Sequence, residues 1–333
     1  VKARPRAVLA MSPATLAENL FGPHRERLSS LVDLHPVVLS ELDSAGARSA
    51  LADAEMLLAG WGCPRIDAVE LDRMPQLRAV VFAGGSAGAL VDPLEAERRG
   101  IALTNTGEGN AQGVAEYTFA TIVLAGKRAR HAERIYQERR AFIDREALLG
   151  DTGNFGRTVG LIGASRIGRR VAGLLAHTDM RVLVYDPYVG PEDAAALGAE
   201  LVDLDHLLTA SDIVSVHAPA VAETERMIDD RAFGLLRDGA VLINTARGSL
   251  VDHDALRAHA RSGRIEAILD VTDPEPLDPD DELWHLPNVT ITPHIAGATG
   301  NELHRLGRDA VDEVARYVAG RTFVGLERIP GAV

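Results

Sequence analysis

Residues of complementary chemistry follow three successive apolar runs in the second half of the chain. Arg247 stands in INTARGSLVD (243–252), Asp270, Asp273 and Glu275 in LDVTDPEPL (269–277), and His294 in ITPHIAG (291–297). A guanidinium forks onto a carboxylate and polarises a neighbouring carbonyl, which an ammonium does less well. An imidazole titrates near neutrality, so His294 can take or return a hydroxyl proton. A carboxylate on the far ring nitrogen fixes the tautomer and raises the imidazole pKa, and Glu275 is the best candidate for that partner. This is the set that the chemistry of a 2-hydroxy or 2-keto acid needs. Each residue also has a plainer reading: Arg247 as a solvated or cap residue, Glu275 as a turn residue between Pro274 and Pro276, His294 as a ring satisfied by backbone. Their joint occurrence on three strand ends, where open α/β sheets place their ligands, favours the chemical reading.

A second constellation lies upstream in TVGLIGASRIGRR (158–170). Gly163 and Gly168 occupy the first and third glycine positions of G-x-G-x-x-G, and Ser165 stands at the middle one. The first glycine permits the tight turn, the third lets the helix pack on the strand, and the middle one keeps the backbone bare for a pyrophosphate. Serine adds only CH₂OH, displacing a phosphate slightly while offering it a hydroxyl donor. The run VLVYD ends in Asp186, 18 residues after Gly168. A carboxylate there accepts both ribose hydroxyls and repels a 2′-phosphate, which points to NAD rather than NADP. The same stretch fits the glycines of a nucleoside-triphosphate loop, but Arg169 and Arg170 fill its Lys and Ser/Thr positions and leave no hydroxyl for magnesium.

The elements that must position these groups follow from the pattern of apolar runs. RAVLAM (6–11), PVVLS (36–40), EMLLAG (55–60), LRAVVFAG (77–84) and GIALTN (100–105) read as buried strands alternating with helical stretches. Six further strands, TVGLIGA, RVLVYD, DIVSVHAP, AVLINTA, EAILDVT and VTITPHIAG, restart the rhythm from 158. Residues 110–139 read as one long helix or two abutting ones, with a broad apolar face able to pack between domains or at a subunit interface, which suggests a homodimer. Residues 300–320 read as an amphipathic helix, with Leu303, Leu306, Ala310 and Val314 on one face, able to return to the first lobe. The fold expected is α/β, two doubly wound parallel-sheet lobes with a cleft between them.

Length and composition agree with that reading. A chain of 333 residues is about twice a usual single domain. A formal charge of −13 and 4% aromatic residues argue against nucleic acid. No apolar run approaches the roughly 20 residues of a membrane span, and the N-terminal apolar stretch is too short for a signal peptide. The single cysteine, Cys63, excludes an intramolecular disulfide and a thiolate metal cluster, so no metal is expected and the cytoplasm is the default compartment. No regulatory domain is expected after the last helix.

From about residue 75 to residue 320, the chain resembles the D-isomer-specific 2-hydroxyacid dehydrogenases. The resemblance is carried by NAQGVAEYT, TVGLIGASRIGRRVA, VLVYDP, VSVHAPAVAETERMI, LINTARGSLVD, LDVTDPEPL and LPNVTITPHIAG in that order. It implies a Rossmann NAD-binding domain over 111–298 and a flavodoxin-like substrate domain over 1–110, completed by 299–333. It implies Arg247, Glu275 and His294 as catalytic residues and NAD as cofactor. The cofactor contacts implied are Gly163, Ser165, Arg166, Ile167, Gly168, Asp186, His217, Thr245, Ala246 and Asp270, the last holding the nicotinamide carboxamide. Main-chain N–H groups at Ser86 and Ala87 would join Arg247 in binding the substrate carboxylate. The loop GGSAGALVD (84–92) departs from the family pattern, which has glycine at Ala87 and Asp-Asn at Ala89 and Leu90. Thr272 likewise replaces a usual aromatic. Formate-oxidising relatives need no carboxylate on the histidine, so Glu275 counts against that substrate. The activity implied is hydride transfer between nicotinamide and a D-2-hydroxy acid of the hydroxypyruvate, glyoxylate or 3-phosphoglycerate type. The competing expectation is an NAD-sensing regulator on the same fold.

Overall fold

Short β-branched runs with both faces apolar dictate parallel sheets covered on each side by helices. The computed structural model describes residues 3–150 and 152–327, and it contains two such sheets. The chain divides into two compact units, Val1–Ala111 with Ala298–Val333, and Gln112–Gly297.

In the first unit, β1 (Arg6–Ala10), β2 (Asp33–Leu34), β3 (Met56–Ala59), β4 (Ala79–Phe82) and β5 (Ala102–Asn105) form a parallel sheet in the order β2-β1-β3-β4-β5. This is the flavodoxin-like winding. Successive strand residues point to opposite faces. Val8, Ala10, Leu57, Ala59, Val80 and Phe82 therefore fill one core, and Ala7, Leu9, Met56, Leu58 and Val81 fill the other. The second core is completed by the helix Leu303–Val318, whose Leu303, Leu306, Ala310 and Val314 are buried there. Each buried leucine or valine side chain contributes about 1.5–3 kcal/mol.

In the second unit, β6 (Thr158–Ile162), β7 (Arg181–Tyr185), β8 (Glu200–Leu201), β9 (Ile213–Val216), β10 (Val241–Asn244), β11 (Glu266–Leu269) and β12 (Val289–Ile291) form a parallel sheet. Its order is β12-β11-β10-β9-β6-β7-β8. The order reverses between β6 and β9, the switch point at which doubly wound sheets bind ligands. Both lobes thus have the architecture the apolar runs predict.

Several boundaries differ. PVVLS (36–40) is not a strand: β1 pairs with Asp33–Leu34, and Leu39 makes only an isolated bridge to Ala10. Pro36 has no N–H to give a ladder, which explains the interruption. The two-residue edge strand β8 carries no pattern long enough to predict. Residues 110–139 form two helices, Gly107–Gly126 and Ala129–Arg139, parted at Arg128, whose φ is +49°. Ala115, Ile122 and Ala125 of the first helix pack into the core of the second sheet.

Candidate active site

The loop after β6 is shaped by close approach. Gly163 has φ +100°, and a Cβ there would lie 2.8 Å from the Ala218 nitrogen at the end of β9. A Cβ on Gly168 would lie 2.1 Å from the Gly163 carbonyl oxygen, so no larger residue lets the helix Arg166–Leu175 seat on the strand end. Ser165 is the N-cap of that helix, and its Oγ accepts the Gly168 N–H at 3.4 Å. The middle position is thus filled by a cap that keeps its own O–H proton to donate. Arg166 and Ile167 form the first turn, where backbone N–H groups lack intrahelical acceptors.

Asp186, half-buried at the end of β7, braces the same loop. Its Oδ2 accepts the Ala164 N–H at 2.7 Å and its Oδ1 the Tyr188 N–H at 2.8 Å. Each oxygen has a second lone pair for a hydroxyl donor. His217 is buried beneath the loop with Nε2 3.0 Å from the Ser215 hydroxyl. Burial pushes its pKa down to about 4, so the ring is neutral. Its backbone abuts Gly163, and its side chain serves the packing under the loop.

At the end of β10, the buried Asn244 staples the turn. Its Nδ2 donates to the Arg247 carbonyl at 2.8 Å, and its Oδ1 accepts the Ala246 N–H at 3.0 Å. Thr245 is fixed from the side, its hydroxyl 2.8 Å from that of Thr118. Arg247 is exposed, and its Nη1 donates to the Ala246 carbonyl at 2.6 Å.

At the end of β11, the buried Asp270 carboxylate accepts three bonds from the segment that carries His294. These come from the Thr292 hydroxyl at 2.6 Å, the Ile295 N–H at 2.9 Å and the Ala296 N–H at 2.8 Å. The Asp270 carbonyl accepts the His294 N–H at 3.0 Å. Tyr117 reinforces the clamp, its hydroxyl 3.0 Å from that of Thr292. The clamp holds His294 at φ +52°, a left-handed conformation that costs on the order of 1–3 kcal/mol and needs such support.

His294 Nδ1 lies 2.7 Å from Glu275 Oε1, with both side chains about half exposed. A carboxylate only accepts, so Nδ1 carries the proton and Nε2 is left to exchange one with a reactant. The turn leading to Glu275 is tied at Asp273. The buried His253 takes the Asp273 N–H on Nε2 at 3.2 Å, and its Nδ1 lies 3.0 Å from the Val251 carbonyl. Burial lowers the His253 pKa, which keeps it neutral and able to play both roles.

The remaining two candidates lie in the first unit. Ser86 is exposed and Ala87 buried at the start of a short turn of helix, Ala87–Ala89. Their donors are engaged by Glu327: Ser86 Oγ at 2.5 Å and the Ala87 N–H at 3.1 Å.

Residues 119–296 match the family described as D-isomer specific 2-hydroxyacid dehydrogenase, NAD binding domain. The chain is 35% identical over 260 residues to a glyoxylate reductase of Korarchaeum cryptofilum, covering 77% of each chain. The chain belongs to the D-isomer specific 2-hydroxyacid dehydrogenase family. It is also 35% identical over 286 residues to a D-3-phosphoglycerate dehydrogenase of Mycobacterium leprae, covering 86% of this chain and 53% of that one. The chain thus spans about half the length of these phosphoglycerate dehydrogenase relatives. A D-lactate dehydrogenase of Aquifex aeolicus, solved with NAD and lactic acid, superposes with TM-score 0.77 at 30% identity, covering 94% of this chain and 96% of that one.

The residues of this family member fit the dinucleotide its NAD-binding domain implies. Two glycines admit close backbone approach, a helix N-terminus follows, and a carboxylate stands at the next strand end. Among the described residues, no group of three or more His, Cys, Asp or Glu could hold a metal ion. No described helix is long and apolar enough to cross a membrane.

Sequence reading missed the supporting residues Asn244, Thr118, Tyr117 and His253, and the engagement of the Ser86–Ala87 turn by Glu327. Asn244 left one signal, an amide closing an apolar strand, because a buried amide requires partners.

Proposed function

We propose that the chain is an NAD-dependent D-2-hydroxyacid dehydrogenase acting on a small 2-hydroxy or 2-keto acid of the hydroxypyruvate, glyoxylate or 3-phosphoglycerate type. The observation that carries this reading is the His294–Glu275 pair, 2.7 Å apart, on the segment that Asp270 clamps. The loop 163–168 would hold NAD, with Asp186 on the adenosine ribose, and the bound cofactor would supply the hydride. Asp270 has one acceptor site left beyond its three loop bonds, and that site suits a carboxamide N–H.

In the direction of reduction, protonated His294 would give the Nε2 proton to the substrate carbonyl oxygen. Glu275 stabilises the imidazolium through Nδ1 and holds the ring in place after the proton leaves. Arg247 binds the substrate carboxylate and offsets charge growing on the carbonyl oxygen. In the first unit, we assign the contact to the substrate carboxylate to main-chain N–H groups of the turn 84–92, with that of Ser86 foremost because Glu327 engages the Ser86 hydroxyl and the Ala87 N–H. The unit Gln112–Gly297 is then the cofactor domain and the other unit the substrate domain. Exposed Leu124, Tyr136 and Phe142 on and after the helices Gly107–Gly126 and Ala129–Arg139 support a homodimer, and the single cysteine supports a cytoplasmic setting.

The test is NADH oxidation with glyoxylate, hydroxypyruvate and pyruvate, with His294→Ala alongside. Wild type turns over at least one of them. His294→Ala loses on the order of 10²–10⁴-fold in turnover while still binding NADH. A silent wild type across the panel, or a variant within a few-fold of it, overturns the proposal.

A further inference from the structure

Glu327 lies 240 residues beyond Ala87 in the chain and still meets the turn 84–92 directly. Its carboxylate accepts three donors: the Ser86 hydroxyl at 2.5 Å, the Ala87 N–H at 3.1 Å and the Asn105 side-chain amide. This convergence is built from both sides. On the turn, Ala87, Ala89 and Leu90 have no polar side chain with which to fix the backbone. On the strap, residues 324–327 run antiparallel along β5: the Asn105 N–H donates to the Gly325 carbonyl at 2.9 Å, and the Glu327 N–H donates to the Leu103 carbonyl at 2.8 Å. The strap is itself moored by the buried Glu313 of the helix Leu303–Val318. The Glu313 carboxylate accepts the Val324 N–H at 3.1 Å, the Gly325 N–H at 3.2 Å and the Thr104 hydroxyl at 2.7 Å. Two carboxylates in series thus connect the last long helix to the turn.

We propose that Glu327 is a positioning residue for substrate binding, fixing the backbone of the turn 84–92 so that its remaining main-chain donors meet the substrate carboxylate. The proposal rests on the reading above that this turn contacts substrate. Charge-assisted bonds to a carboxylate are about twice as strong as neutral ones, so the negative charge matters as well as the shape. A neutral glutamine cannot replace it, because its NH₂ would face one of the three donors. A substrate placed by a fixed turn binds more tightly, whereas proton exchange at His294 does not involve Glu327.

The experiment compares wild type, Glu327→Ala and Glu327→Gln by steady-state kinetics on the best keto acid of the panel. Hydrogen exchange over residues 84–92 is measured on the same proteins. Glu327→Ala is expected to raise KM about tenfold or more with a much smaller change in kcat, and Glu327→Gln to fall between. Exchange in the turn should accelerate about tenfold, while the NADH dissociation constant stays put. Unchanged exchange overturns the proposal, as does accelerated exchange with an unchanged KM. A lower KM also overturns it, since Glu327 would then be competing with the substrate carboxylate. If wild type reduces no keto acid, the dehydrogenase reading fails, and exchange still decides whether Glu327 fixes the turn. Should Glu327→Ala fail to fold, Glu327→Gln carries both measurements.

Discussion

Replacing Asp270 by asparagine keeps the shape of the side chain and removes its charge. The amide oxygen still accepts the Thr292 hydroxyl and the Ile295 N–H, but the new NH₂ group faces the Ala296 N–H. Ala296 is buried, so that donor is left without a partner, at a cost of about 1–3 kcal/mol. The two surviving bonds lose their charge assistance, which brings the expected destabilisation to roughly 2–4 kcal/mol. A domain with about 5–15 kcal/mol of stability survives this. The effect reaches the chemistry as well as folding, because the segment that relaxes carries His294 in a left-handed conformation. A displacement of about 1 Å there lowers turnover on the order of 10²-fold. Urea unfolding, turnover with the best keto acid and NADH binding by fluorescence are the assays. Loss of stability and kcat, with NADH affinity within about threefold, is expected for a clamp whose first duty is to His294. Stability within about 0.5 kcal/mol and turnover within twofold of wild type would refute the reasoning. A large loss of NADH affinity with kcat intact would make Asp270 a cofactor ligand first.

Two further outcomes follow from the same geometry. Ser165→Ala should destabilise the helix Arg166–Leu175 by about 0.5–1 kcal/mol in thermal unfolding, because a cap is lost, whereas Ser165→Gly should cost only a few tenths. NADH affinity should differ less than about threefold between Ser165→Gly and wild type, and a tenfold loss would show that the hydroxyl binds the pyrophosphate. His217 is held neutral with its pKa near 4 against an ordinary value of 6.5. Between those values the unfolded chain binds a proton that the folded chain refuses, so stability is fully present above pH 6.5 and falls as the solution is acidified. The share at stake is about 3 kcal/mol. His217→Gln should flatten the acid side of a stability–pH curve, and an unaltered slope would contradict the burial argument.

The strands, and the strand ends at which the candidate residues stand, were legible because both follow local rules. A parallel strand buried on both faces must be an apolar run, and Gly163, Gly168 and Asp186 are separated by the fixed lengths of one strand–helix–strand unit. Arg247, Glu275 and His294 could be placed because each follows such a run. The network behind them was not legible, since its partners are remote. Thr118 meets Thr245 across 127 residues and Tyr117 meets Thr292 across 175. Nothing local distinguishes those hydroxyls from others on a helix. The strand expected at 36–40 failed for a local reason, because Pro36 outweighs the apolar residues beside it. Ser165 was legible as a departure from the glycine pattern, yet only the backbone conformation shows that it serves as a cap.

The clamp around Asp270 also bears on how such a site can diverge. Two of its three bonds are taken from main-chain N–H groups, which every residue except proline provides. Ile295 is exposed, so its side chain can be exchanged without disturbing the bond its backbone makes, while Ala296 is confined by burial. The segment therefore separates what must persist from what can drift. Mutation at 295 can sample new surface next to His294 while the His294–Glu275 hydrogen bond stays in register, so under the proposed function this position is a low-risk place for selection to retune activity.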